Sequence, residues 1–238
     1  MHRVWNDYAI LRQTQLESGV DTTFSNVFVP YYVKVANWLK PETILEIGSG
    51  TGHLAKELSR ISPNVVTLEP CIDMVNIAKA VCKGTKVIIE NCKIEEYKSQ
   101  KQFQLIISHL CIQSVHDVDL FLKSTKGYLS QKGMFLFCVP HPCFWNDLKA
   151  FIPLEDYRYF NMNFKEVDFS LEKDPNNIFR KIPFIHRPLK AYFNYIRNVQ
   201  LCVRDFDEIY TENVDELKNR NCTPRYAVFY VSKYTIDN

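Results

Sequence analysis

Apolar and polar residues follow two rhythms along this chain. Short apolar runs of strand length alternate with segments whose apolar positions recur three and four residues apart, as on one face of a helix. From Glu42 onward the pattern predicts strand 43–47, helix 51–60, strand 65–69, helix 71–82, strand 86–90, strand 103–108, helix 118–129 and strand 133–139. This alternation predicts a doubly wound α/β fold with a mostly parallel sheet and helices on both faces.

The two ends of the chain extend this unit. Apolar residues between Phe24 and Leu39 recur at helical spacing, so the first 40 residues are predicted to form two helical pieces, with Pro30 marking either a kink or a helix start. After a helix near 188–197, segments 199–210 and 225–232 read as two strands. They predict an antiparallel hairpin at the end of the sheet.

A long stretch of about 141–187 separates the fifth predicted strand from the last helix and is rich in phenylalanine, tyrosine and tryptophan. Long insertions at the ligand edge of a domain commonly act as lids. We therefore expect a lid whose aromatic residues suit an apolar or planar substrate. A dimer interface and a small extension of the core remain open as alternatives.

The run 44–53, Ile-Leu-Glu-Ile-Gly-Ser-Gly-Thr-Gly-His, carries the strongest chemical signal. Glycines at alternate positions let the backbone turn with positive φ and approach a ligand without a Cβ in the way. Glu69 follows the next predicted strand, where a carboxylate can accept hydrogen bonds from both hydroxyls of a ribose. The pattern predicts a nucleotide-type cofactor site.

The spacing of the glycines favours one cofactor over another. A dinucleotide site would continue as G-x-G-x-x-G, but position 53 is His53. The pattern E-x-G-x-G-x-G instead resembles motif I of the class I S-adenosylmethionine-dependent methyltransferases. Segments 71–79, 103–109 and 128–134 extend the resemblance over about residues 40–140, most closely to the ubiquinone-biosynthesis-like small-molecule group.

This resemblance implies one Rossmann-like methyltransferase domain over 1–238, with an N-terminal helical cover at 1–40, a lid insertion at about 141–187 and S-adenosylmethionine as cofactor. Trp5 and Tyr8 are candidates to close over that cofactor. The cofactor residues that it implies are Glu46, Gly48, Ser49, Gly50, Gly52, His53, Glu69, Pro70, Met74, Cys92, Lys93, Ile94, Ser108, His109 and Leu110.

The chain departs from the family pattern at two places. Gln104 stands where the fourth strand usually opens with aspartate. After the third strand, where an aspartate often faces the adenine amino group, the chain has Asn91 and Cys92. Since an amide oxygen accepts a hydrogen bond from an amine, cofactor binding remains the expectation.

Methyl transfer to an oxygen nucleophile calls for a base near the carboxyl ends of the fourth and fifth strands. Three histidines, whose ordinary pKa lies near neutrality, fit that region. His141 follows the fifth strand between two prolines and is our first candidate. His109 ends the fourth strand, His116 follows it, and both are further candidates.

The composition of the chain limits the classes of partner and the cellular compartment that we expect for it. A formal net charge of +2 gives no strong signal for nucleic acid. The eight cysteines include no C-x-x-C pair and no zinc-ligand spacing, so we expect no metal and a reducing compartment. No apolar run approaches the length of a membrane span, and we expect a cytoplasmic protein.

The resulting hypothesis is S-adenosylmethionine-dependent methyl transfer to an oxygen or nitrogen of a small aromatic or apolar molecule, with a homodimer left open. Methylation of RNA or protein is one alternative. A non-catalytic module that uses the fold for binding is another, because a fold does not determine its function.

Overall fold

The computed structural model describes residues 2–210 and 223–234. Its helices are α1 Ala9–Glu17, α2 Val29–Leu39, α3 His53–Leu58, α4 Ile72–Val81, α5 Val118–Tyr128, α6 Trp145–Lys149 and α7 Leu189–Asn198. Its strands are β1 Thr43–Ile47, β2 Asn64–Leu68, β3 Ile88–Glu90, β4 Phe103–His109, β5 Leu129–Pro140, β6 Asn163–Leu171, β7 Asp174–His186, β8 Leu201–Ile209 and β9 Tyr226–Lys233. Within these residues no helix is both long enough and apolar enough to span a membrane.

Seven strands form one sheet in the order β3-β2-β1-β4-β5-β9-β8. Strands β1 to β5 run parallel, and β9 lies antiparallel between β5 and β8. The central strands are mostly apolar, as expected of strands that are covered on both faces of the sheet. On β1, Ile44 packs with α2 and α3, whereas Leu45 and Ile47 pack on the opposite face with α5 and α7. The predicted α/β fold class is confirmed.

Element boundaries differ slightly from the sequence prediction, for local reasons. Helix α3 begins at His53 because Gly52 is left-handed, with φ +77°. Helix α2 has Pro30 in its first turn, directly after the π-helical segment Thr23–Phe28, so this proline lies in a continuous helical run where π-helix gives way to α-helix. Strand β5 begins earlier than predicted, at Leu129, which pairs with Phe103 across an irregularity in the β4–β5 register.

The aromatic segment between β5 and α7 contains α6 and a two-stranded antiparallel ribbon, β6–β7. A lone hairpin is marginally stable in water, so this ribbon needs a packing partner. Phe179 of β7 supplies that contact: it is fully buried and packs against Trp5 and Tyr8 of the N-terminal segment. The N-terminal segment and the ribbon therefore form one layer next to the sheet.

Candidate active site

A cavity of about 770 Å³ opens at the carboxyl ends of β1, β2 and β4. The order of the sheet reverses between β1 and β4, and this switch point is where doubly wound sheets bind ligands. The loops that follow these strands supply one side of the cavity, and the N-terminal segment with the β6–β7 ribbon supplies the other. The cavity is therefore bounded by both layers of the molecule.

The glycine turn after β1 is shaped by backbone that only glycine supplies at low cost. Gly48 has φ +75°, and a Cβ there would meet Cys111 Sγ at 3.0 Å. Gly52, with φ +77°, would place a Cβ 2.9 Å from the Cβ of Ala78 in α4. Gly48 thus lets the turn lie close to Cys111 at the cavity, whereas Gly52 lets α3 pack closely on α4.

Glu69 closes the loop after β2 and faces the same cavity. Its Oε2 accepts a hydrogen bond from the Gly50 amide at 2.9 Å, and its Oε1 accepts one from the Cys71 amide at 2.8 Å. Burial raises the pKa of this carboxyl, while the two amide donors oppose the shift. The two backbone donors fix the carboxylate relative to the glycine turn.

Glu46 lies beneath this turn and is 3% exposed. Its Oε2 has no hydrogen-bond partner among the described residues. Burial, and to a lesser extent the charge of Glu69, raises the pKa of Glu46 to about 8. A buried acceptor without a partner favours a ligand that donates a hydrogen bond or carries positive charge.

Most of the predicted cofactor residues line this cavity: Glu46, Gly48, Ser49, Gly50, His53, Glu69, Pro70, Met74, Cys92, Lys93, Ile94, His109 and Leu110. Two do not. Gly52 acts in helix packing, and Ser108 is fully buried behind the end of β4. Asn91 also lies outside the lining, since its amide donates to the Glu69 carbonyl at 2.9 Å, and Cys92 takes the cavity position.

His109 lies at the end of β4 inside an aromatic enclosure. Its ring centroid is 4.3 Å from that of Phe28 and 5.6 Å from that of Phe24, and Nδ1 lies 3.1 Å from the Tyr32 hydroxyl. Burial lowers the pKa of His109 to about 3. The imidazole is therefore neutral and a weak base, despite its place in the cavity.

His116 and His141 occupy different surroundings. His116 is exposed at the cavity rim, with its ring centroid 5.3 Å from that of Phe164. His141 does not line the cavity: its Nε2 lies 2.8 Å from Glu208 Oε1, and its Nδ1 accepts from the Cys143 amide at 3.2 Å. Since both ring nitrogens are engaged and burial lowers its pKa, the geometry does not favour our first candidate for the base.

Comparisons with known proteins agree with this geometry. Residues 31–182 match a family model described as a methyltransferase domain. The chain belongs to the methyltransferase domain family. The recognition of a class I S-adenosylmethionine-dependent methyltransferase domain is thereby confirmed.

Individual relatives are distant. The chain is 29% identical over 98 residues to the ubiquinone biosynthesis O-methyltransferase of Pelagibacter ubique, covering 40% of this chain and 41% of that protein. The chain thus spans about two fifths of the length of the curated relatives that it matches.

Solved methyltransferases cover more of the chain. A putative S-adenosylmethionine-dependent methyltransferase from Listeria monocytogenes aligns with TM-score 0.67 at 18% identity, covering 86% of this chain and 97% of that one. The 1,6-didemethyltoxoflavin-N1-methyltransferase of Burkholderia thailandensis, solved with bound S-adenosylhomocysteine, aligns with TM-score 0.60 at 12% identity, covering 95% and 87%. These likenesses support the fold.

The residues around the glycine turn fit S-adenosylmethionine on chemical grounds. The sulfonium and the amino group of this cofactor carry positive charge, which suits the unpartnered Glu46 carboxyl. A ribose offers two hydroxyl donors to Glu69, and Gly48 leaves room where a Cβ would meet Cys111. The donor set and the open cradle are therefore both consistent with this cofactor.

The sequence analysis did not identify most of the residues that line the cavity on the side opposite the glycine turn. Arg12 pairs with Asp21 at 2.9 Å, and Glu172 pairs with Arg225 at 3.1 Å; all four residues line the cavity, as does Tyr226. We call the lining residues between 46 and 121 the cofactor half and those at 5–28 and 140–226 the acceptor half. The acceptor half joins distant segments, and no local motif marked them.

Proposed function

We propose that this protein transfers the methyl group of S-adenosylmethionine to an oxygen or nitrogen of a small aromatic or apolar molecule. The observation that carries the proposal is Glu69, fixed by the amides of Gly50 and Cys71 at the floor of a cavity that continues beneath aromatic side chains. A ribose-binding carboxylate beside an apolar compartment provides for cofactor and acceptor in one space.

The residues have separable roles in this proposal. Glu69 would hold the ribose, Glu46 would face the cationic end of the cofactor, and Met74 would lie against adenine. When bound, S-adenosylmethionine supplies the activated methyl group. The protein's own contribution is alignment of the acceptor and exclusion of water, which can account for much of the rate of an in-line displacement.

We propose the β6–β7 ribbon as the lid over this compartment, within a single domain that includes the N-terminal helices. Phe169, Phe179 and Phe184 of the ribbon line the cavity. At its tip, Glu172 bonds Arg225 of the segment before β9, and Asp174 accepts a hydrogen bond from Gln15 of α1 at 2.8 Å. Polar contacts at the tip can release and reform more readily than a packed core.

The acceptor class has support from relatives. The Pelagibacter ubique relative is a ubiquinone biosynthesis O-methyltransferase, and the Burkholderia thailandensis structure is a 1,6-didemethyltoxoflavin-N1-methyltransferase with bound 1,6-didemethyltoxoflavin. The cytoplasmic location also stays a prediction; none of the seven described cysteines is in a disulfide, and Cys222 lies outside the described residues. The homodimer stays a prediction.

The test is isothermal calorimetry of the purified protein with S-adenosylmethionine and S-adenosylhomocysteine, with NAD as the control. We expect both sulfur ligands to bind and NAD not to bind. Methyl-labelled cofactor with a metabolite panel then tests transfer. Binding of NAD, or binding of neither sulfur ligand, would contradict the proposal; salt-dependent binding of RNA would point to a polymer acceptor instead.

A further inference from the structure

The charge of the lining residues differs between the two halves of the cavity. Among the described residues, the cofactor half carries the acids Glu46, Glu69, Glu95, Glu96 and Asp117 against Lys93. The acceptor half carries the cations Arg12, Lys149, Lys173 and Arg225 against Asp21 and Glu172. The cofactor half therefore suits a cationic ligand, and the acceptor half has a positive balance that suits an anionic one.

The two acids of the acceptor half are already paired with arginine side chains. Asp21 accepts from Arg12 through Oδ2 at 2.9 Å and from the Phe24 amide through Oδ1 at 3.0 Å. Glu172 is paired with Arg225. Both carboxylates are therefore already engaged in ion pairs.

The histidine that faces the acceptor is also a poor base. The pKa of His109 is lowered to about 3 by burial, so its neutral ring has little tendency to accept a proton. His116 lies at the rim against Phe164. Among the described lining residues, neither of these histidines and neither ion-paired carboxylate of the acceptor half is thus well placed to deprotonate a phenol or an alcohol.

Two neutral groups meet where the two halves adjoin: His109 of the cofactor half and Tyr226 of the acceptor half. The Tyr32 hydroxyl lies 3.1 Å from His109 Nδ1, and donation from Tyr32 to this atom would leave the ring proton on Nε2. Tyr226 lines the cavity, and burial raises its pKa so that the hydroxyl stays protonated. The rings of His109 and Tyr226 both pack on Phe28, with centroid distances of 4.3 and 4.8 Å.

We propose that the methyl acceptor is a carboxylic acid with an apolar or aromatic body, bound as its carboxylate through His109 and Tyr226. The inference rests on the proposed function. A carboxylate oxygen forms the new bond to the methyl carbon as the carbon–sulfur bond breaks, and the sulfur keeps that electron pair. The product is a neutral methyl ester, and no proton has to leave the acceptor. A site with two donors and no free base fits this reaction.

Tyr226 is the positioning residue whose substitution tests the proposal. Tyr226→Phe removes the hydroxyl and keeps the ring against Phe28 and Trp145, so the fold is expected to persist. Tyr230→Phe is the matched control: it lies on the same strand, and its hydroxyl contacts Tyr31 rather than the cavity. Binding to this protein is measured by calorimetry after saturation with S-adenosylhomocysteine.

The probes are cinnamate, cinnamyl alcohol and cinnamylamine, which share one apolar body. We expect cinnamate to bind about tenfold more tightly than the alcohol, with the amine weakest. Tyr226→Phe should reduce the preference for cinnamate over the alcohol by about threefold or more, and Tyr230→Phe should leave it unchanged.

Equal affinities, a preference for the alcohol or amine, absence of cinnamate binding, or an unchanged preference in Tyr226→Phe would each overturn the carboxylate proposal. Failure of S-adenosylhomocysteine to bind in the first titration would instead contradict the proposed function. The two failures are therefore distinguishable within one series of titrations.

Discussion

The two halves of the cavity are built in different ways. The cofactor half follows consecutive strand ends within one βαβ unit and its neighbours, and its central contacts are backbone amides and a fixed carboxylate. The acceptor half joins α1, the ribbon and the segment before β9 through long-range ion pairs and aromatic contacts. The first depends on backbone conformation, whereas the second depends on side chains that meet only after folding.

If the cofactor half depends on backbone conformation, its packing glycine should be the most sensitive position. Gly52→Ala forces a left-handed conformation and places a Cβ 2.9 Å from the Ala78 Cβ, so we expect a loss of about 3 kcal/mol in the free energy of unfolding. Urea unfolding measures it. Gly84→Ala is the control, because Gly84 also has positive φ but open space, and it should lose about 1 kcal/mol. Equal losses would show that packing on α4 contributes nothing.

Substitution of Glu69 tests the fixed carboxylate. Glu69→Ala should weaken binding of S-adenosylhomocysteine by about 1–3 kcal/mol, the cost of losing hydrogen bonds to a charged group. Calorimetry gives the value. Glu90→Ala, at the exposed end of the adjacent β3, serves as the control and should retain full affinity. Unchanged affinity in Glu69→Ala would remove this residue from the cofactor site.

The sequence was informative about the cofactor half because its contacts are local. A strand, three alternate glycines and the acid after the next strand define Gly48, Gly50 and Glu69 without knowledge of distant parts of the chain. What local patterns did not reveal was which glycine packs on a helix. Gly52 serves α4 rather than the cavity, and that distinction depends on the position of Ala78.

The acceptor half was less predictable because its contacts join residues that are far apart in the sequence. The aromatic insertion was recognisable by composition, but Tyr226 reaches the cavity because β9 inserts between β5 and β8. His141 was a plausible base by its position after β5, yet its ring pairs with Glu208 of β8, a strand much later in the chain. No sequence spacing encodes either contact.

The pH dependence of stability tests the buried acid of the cofactor half. The pKa of Glu46 is raised from 4.5 to about 8, so its protonated form stabilises the fold at low pH, and this contribution is lost as pH rises from about 4.5 to 8. The slope reaches at most about 1.4 kcal/mol per pH unit. Urea unfolding at a series of pH values from 5 to 8 measures this change in the free energy of unfolding.

The matched variant for this measurement is Glu46→Gln. His109, whose pKa is lowered to about 3, contributes with the opposite sign below its ordinary pKa, so only the difference between the protein and Glu46→Gln isolates Glu46. The parent should lose stability relative to the variant as pH rises. A difference that does not change with pH would show that Glu46 is ionised in the folded protein throughout this range.

The tip of the ribbon should show the smallest effect. Glu172→Gln removes the ion pair with Arg225, but the Glu172 side chain is 56% exposed, so solvent screening limits the loss to about 0.2–1 kcal/mol. We expect amide exchange in β6 and β7 to rise by roughly two- to fivefold while S-adenosylhomocysteine affinity stays constant. Glu166→Gln, an exposed acid on β6, is the control.

The salt dependence of this effect provides a second check. Because salt screens such a pair, the difference in stability between Glu172→Gln and the parent should shrink at high ionic strength. If Glu172→Gln lowered the affinity for S-adenosylhomocysteine, the two halves would be coupled through the ribbon and would not act separately.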